Sequence, residues 1–136
     1  MNDYPGFLKK YFNVLVHEGG SDLHLSTGAH PTIRVSGELS PMLKEPVLTK
    51  EETQGFLQAL VSPELIAQFK QNQELDFAYE SPDMFRFRGN AFIQRGAIGV
   101  VLRLIPRQIL SIKELNLPDI LTSFARKEQG FFLVVG

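Results

Sequence analysis

The sequence predicts an α+β fold, with one antiparallel sheet of about five or six strands and helices packed mainly on one face. Three observations predict it. Period-two alternation of apolar and polar residues recurs in segment after segment, as half-buried strands require. Short loops join neighbouring segments, which favours antiparallel pairing. Helical spacing of apolar residues appears in stretches bounded by capping signals.

Residues 4–18 carry Phe7, Leu8, Tyr11, Phe12, Val14, Leu15 and Val16 at helical spacing, and Gly19-Gly20 supplies a left-handed stop. Ser21 to Ser26 alternates as a strand, with Leu23 and Leu25 on one side and Asp22, His24 and Ser26 on the other. A turn at Thr27 to Pro31 leads to a short strand, Thr32 to Val35, and Ser36-Gly37-Glu38 makes a tight connection into Leu39. Thr49 with Glu52 forms a capping box ahead of Phe56, Leu57 and Leu60. Ser62 caps a second helix with Pro63 at its first position, running to about Gln71 and burying Leu65, Ile66 and Phe69. Three strands follow. Leu75, Phe77 and Tyr79 alternate with Asp76, Ala78 and Glu80. Phe85, Phe87, Gly89, Ala91 and Ile93 alternate with Arg86, Arg88, Asn90 and Phe92. In the last, Ile98, Val100, Leu102 and Leu104 oppose Val101, Arg103 and Ile105. Pro106 ends it, Arg107 to Lys113 connects, and a further helix is expected over Pro118 to Arg126. The run Gly130 to Gly136 is apolar on both faces, which suits a strand buried in a parallel sheet; it is either an edge strand added to the first sheet or, the preferred expectation, a strand of a larger protein inside which this chain stops.

Composition narrows the function. A length of 136 residues fits one compact domain with a fragment of another. Hydrophobic residues at 43% and charged residues at 21% are ordinary for a globular protein. The balance of 14 Lys and Arg against 15 Asp and Glu argues against binding nucleic acid or a membrane surface through bulk charge. Any functional charge is therefore local. With no cysteine there are no disulfides, thiolate metal sites or cysteine nucleophiles. No signal-peptide order and no apolar run of ~20 residues occurs, so a soluble, cytoplasmic chain without membrane insertion is expected.

Four ordered segments carry a family resemblance. They are Gly19-Gly20-Ser21-Asp22-Leu23-His24-Leu25 continuing to Ile33-Arg34-Val35-Ser36-Gly37, then Arg86 to Phe92 with Gln94-Arg95-Gly96, then Val100 to Pro106, and finally Leu115-Asn116-Leu117-Pro118 with Gly130 to Gly136. Together they resemble the N-terminal part of type IV pilus retraction ATPases of the PilT kind. The resemblance implies a PAS-like domain over residues 1–106, then a linker and the truncated start of a RecA-like P-loop domain over residues 107–136. Gly136 would be the first glycine of the phosphate-binding loop G-x-x-x-x-G-K-[ST], whose backbone N–H groups wrap phosphates. The full-length parent would bind ATP and Mg2+, assemble as a homo-hexamer with ATP in a cleft between its two domains, and disassemble pili at the inner-membrane machinery. The chain alone, lacking the loop lysine, is expected to bind no cofactor and to be inactive. The alternative is a stand-alone PAS-like sensory or adaptor domain. A departure from the family is Gly89, where a β-branched or small apolar residue is expected, and it suggests a β-bulge.

On pattern alone Arg88 and Arg103 are either solvated residues pairing with Asp76 or Glu80, or convergent guanidinium groups able to grip one phosphate. The resemblance favours the second, because related secretion ATPases place arginines at these two positions against nucleotide phosphates. Arg95, at an expected hairpin tip, is a weaker third candidate, and Arg86 is left to the solvated reading. Asp22 and His24 share a strand face, but two ligands are too few for a metal, and His17 and His30 lack the spacing to join them. A polar contact at a domain or subunit interface suits that pair better. Phe85, Phe87, Phe92, Phe131 and Phe132 are expected in the core, since the neutral charge disfavours an RNA-stacking platform.

Overall fold

A computed structural model describes residues 3–136. Met1 and Asn2, the start of the expected first domain, lie outside the described residues. The chain divides after Ile105 into two compact units. The first holds α1 (Tyr4–His17), β1 (Asp22–Ser26), β2 (Thr32–Val35), β3 (Glu38–Pro41), α2 (Lys50–Leu60), α3 (Pro63–Asn72), β4 (Glu74–Glu80), β5 (Arg86–Gln94) and β6 (Ala97–Ile105).

Local chemistry sets the helix ends. Asp3 accepts from the Gly6 N–H at 2.9 Å and opens α1. At the other end Gly19 has φ +65°, and the Gly20 and Gly19 N–H groups bond back to Leu15 and Val16 at 2.8 and 3.1 Å. This is a Schellman closure, which satisfies carbonyls the helix leaves open. The capping box forms as expected, with Thr49 and Glu52 bonding reciprocally.

The sheet is a single six-stranded antiparallel layer in the order β3-β2-β1-β6-β5-β4. The first and last strands of the unit therefore pair at its centre. One face is packed by the helices. Leu8, Tyr11, Phe12 and Leu15 of α1, Phe56, Leu57 and Leu60 of α2 and Phe69 of α3 form one core with Leu23, Leu25, Phe77, Phe87, Ala91, Val100 and Leu102. Phe12 stacks on Phe87 with ring centres 4.2 Å apart. Leu65 and Ile66 are only half-buried. The opposite face carries the polar set of the alternation. Phe92 lies on that face, half-buried, where its ring occupies the space a Cβ at Gly99 would need.

Gly89 forms no bulge. It pairs in unbroken register with Phe77 and Leu102, and a Cβ there would come within 2.3 Å of the Phe77 ring. The glycine makes room for an aromatic side chain on the neighbouring strand.

The second unit holds one short helix, α4 (Ile120–Ala125), inside the expected Pro118 to Arg126 span. Gly130 to Gly136 forms no strand, and Phe131 and Phe132 are 89% and 53% exposed rather than core. A strand apolar on both faces needs a sheet to join and packing over both of its faces, and this run pairs with no strand among the described residues.

Candidate functional site

Strand register assembles the site. Asp22 on β1 lies opposite Arg34 on β2 and opposite Arg103 on β6, and Arg103 lies opposite Arg88 on β5. Four adjacent strands thus contribute one row, Arg34, Asp22, Arg103, Arg88, on the face the helices leave uncovered. Directly opposed residues have Cα atoms about 4.5–5.5 Å apart, so the guanidinium groups of Arg88 and Arg103 can meet one small anion.

The row is held together by its single carboxylate. Arg103 donates from Nε to Oδ1 of Asp22 at 2.8 Å, and the Ser21 hydroxyl donates to Oδ2 at 2.6 Å. Arg34 Nε stands 3.7 Å from Oδ2, and its Nη1 donates to the Gly37 carbonyl at 2.7 Å. Asp22 is 2% exposed, whereas the Arg103 side chain is 71% exposed. Burial by itself would raise the Asp22 carboxyl. The Ser21 hydroxyl and the Arg103 guanidinium donating to it, with His24 nearby, more than offset that and hold it below the usual carboxylate range.

Neither Asp76 nor Glu80 neutralises the pair. Asp76 accepts from Asn90 at 3.2 Å, and Glu80 lies opposite Arg86. Arg88 is exposed and joins no ion pair among the described residues. The row thus holds three guanidinium groups and one carboxylate, a local positive excess on a chain of net charge −1. Like charges directly opposite on paired strands repel, and an anion between them removes that cost.

The other expected residues lie elsewhere. Arg95 and Gly96 form the two-residue tip of the β5–β6 hairpin with φ +51° and +70°. Seven residues along the strand from Arg88 is about 23 Å, so Arg95 is not part of the row. Gly136 is exposed in the irregular segment that follows α4.

His24 sits on the same face as the row, between Thr32 and Val101. Its Nε2 is buried with no hydrogen-bond partner among the described residues. Burial above all pushes its pKa down; Asp22 pulls it back up by less, and Arg34 and Arg103 add smaller downward pushes. His30 is engaged elsewhere, donating from Nδ1 to the Glu45 carbonyl at 2.6 Å. Among the described residues no group of three or more His, Asp or Glu side chains could hold a metal ion.

Arg34 and the part played by Asp22 escape the sequence reading. Their signal is the polar side of the alternation on β1 and β2, which acquires meaning only when β1 pairs with β6.

No family model matches the sequence. Curated relatives do. The chain is 35% identical over 128 residues to the type IV pilus ATPase PilU of Pseudomonas aeruginosa, covering 94% of this chain and 33% of that protein. It is 34% identical over 119 residues to the type IV pilus retraction ATPase PilT of the same organism, covering 88% and 34%. A crystal structure of the pilus retraction motor PilT with bound ADP matches with TM-score 0.74 and 29% identity, over 93% of this chain and 36% of that one. The Legionella pneumophila ATPase DotB, at TM-score 0.76 and 23% identity over 96% of this chain and 37% of its own, shows the same fold. The chain spans about a third of the length of the curated relatives it matches.

Proposed function

The chain belongs to the PilT-like type IV pilus ATPases as an N-terminal domain of that family, and we propose that in the full-length protein its open sheet face meets the phosphates of ATP. The observation that carries this is Arg88 standing opposite Arg103 without a carboxylate of its own. In this reading the parent is a homo-hexameric P-loop ATPase that retracts type IV pili at the inner-membrane machinery. Residues 1–106 would form its first, PAS-like domain, and residues 107–136 a linker and the start of the RecA-like catalytic domain, with Gly136 as the first glycine of the phosphate-binding loop. Mg2+ would accompany the nucleotide. The 136-residue chain would neither bind nor hydrolyse ATP by itself, since it holds no loop lysine.

During phosphoryl transfer, negative charge spreads over the oxygens of the transferred group. Guanidinium groups aimed there stabilise the transition state more than the ground state, and so raise turnover more than affinity. Arg103 and Arg88 are suited to this because a guanidinium carries a delocalised positive charge and offers a planar fork of donors. Arg103→Ala in the full-length protein should lower kcat by about 10³, the scale of an arginine finger, while ATP affinity changes far less. Arg88→Ala should behave similarly. Steady-state ATPase kinetics with circular dichroism as the folding control make the test. Near-normal turnover in both single variants and in the double variant would reduce these residues to surface charge.

A PAS-like sensory or adaptor role has one observation in its favour, an apolar pocket of about 280 Å³ lined by Leu57, Ile66, Phe69, Ile93 and Ile98. Normal turnover in the arginine variants would move attention to that pocket.

A further inference from the structure

We infer that Asp22 is a positioning residue for Arg103, gripping one edge of its guanidinium so that the other edge faces the phosphate together with Arg88. The inference rests on the phosphate-facing reading of that pair. An arginine on an open sheet face would ordinarily sweep through many rotamers, and ordering it only when substrate arrives would weaken every contact it makes. Here one donor, Nε, is spent on Asp22 at 2.8 Å, and the group remains largely exposed beyond that bond. Of the five N–H donors of a guanidinium, the four on the terminal nitrogens remain for an anion.

The anchor is itself anchored. The Ser21 hydroxyl holds the second oxygen of Asp22, and the Ser21 backbone bridges the neighbouring strands. Its N–H donates to the Arg34 carbonyl, and its carbonyl accepts from the Leu104 N–H, both at 2.9 Å. Arg34, at 3.7 Å, supplies a second positive charge to the carboxylate. The row therefore stays net positive although Asp22 is ionised, and a phosphate approaching Arg88 and Arg103 meets attraction rather than repulsion. A carboxylate that merely stabilised the sheet would need no exposed partner. This one is almost wholly buried while the group it holds points outward.

The test is a double-mutant cycle in the full-length ATPase, with Asp22→Asn, Arg103→Gln and the two combined. Asp22→Asn keeps the shape and removes the charge. It should lower kcat about tenfold, the scale of one charge-assisted hydrogen bond lost in the transition state, with KM for ATP changed less than about twofold. In the Arg103→Gln background the same change should have no further effect. Normal activity of Arg103→Gln would defeat the phosphate reading itself. An impaired Arg103→Gln beside an unimpaired Asp22→Asn would defeat the positioning role alone. Losses that multiply in the double variant would also overturn it, because Asp22 would then act through the fold. Should Asp22→Asn fail to fold, Ser21→Ala takes its place. It leaves the Asp22–Arg103 contact and frees only the second oxygen, with a smaller kcat loss expected that vanishes in the Arg103→Gln background. Unchanged kcat in Ser21→Ala would overturn the inference.

Discussion

The Phe77 ring occupies the space in which any side chain at Gly89 would begin, so the two residues are one packing unit shared by β4 and β5. Gly89→Ala should cost about 1–3 kcal/mol through overpacking, and Phe77→Leu in the same chain should recover part of it. Chemical denaturation midpoints of the wild type and the two variants check this. His24 supplies a pH dependence. Its folded-state pKa lies below the ordinary value near 6.5, so the unfolded chain takes up a proton that the folded one resists. Stability should fall as pH drops through and below about 6.5, and His24→Asn should flatten that slope in urea titrations at pH 7.5 and 5.5. Asp22 acts in a lower window. Its pKa is depressed, so its contribution is full above the ordinary carboxylate range and is lost as pH falls through the folded value. At this scale, legibility followed distance along the chain. Arg88 and Arg103 flank a two-residue turn, so alternation alone put them on one face. Asp22 meets Arg103 across 81 positions, a relation no local pattern carries.

Caps and turns made the elements of the first unit readable, because each signal and the structure it sets lie within a few residues. Thr49 is the plainest case, with its hydroxyl accepting from the Glu52 N–H at 3.2 Å and its own N–H donating to the Glu52 carboxylate at 2.7 Å. Thr49→Ala should destabilise the first unit by about 1 kcal/mol, and a thermal or urea melt followed by circular dichroism reads it directly. The same locality governs Gly130 to Gly136, which forms no strand among the described residues. An apolar run states a demand for neighbours on both faces, and whether they exist is not a property of the run. Gly89 misled for a related reason. Its smallness answers a ring on another strand, and a bulge was the nearest explanation available within its own strand.

For the whole molecule, every residue of the hydrophobic core lies between Leu8 and Leu102, and α4 buries none. A chain ending at Ile105 should therefore melt cooperatively, within a few degrees of the 136-residue chain, in differential scanning calorimetry. The α+β class was legible because the strands announce themselves by alternation. The strand order was not, since it turns on β1 and β6 finding each other from opposite ends of the unit. That pairing has a mechanical consequence. The strand from which the chain leaves the first unit is an interior one, bonded along both edges, to β1 and to β5. A tug on the chain at Ile105, directed along β6, runs across hydrogen bonds that lie perpendicular to the strand. Both ladders are then loaded in shear and must rupture together instead of unzipping rung by rung. The tether that emerges at Pro106 is thus fastened where the sheet resists traction best, and a pull on it would move the unit as a block before it unravelled a strand.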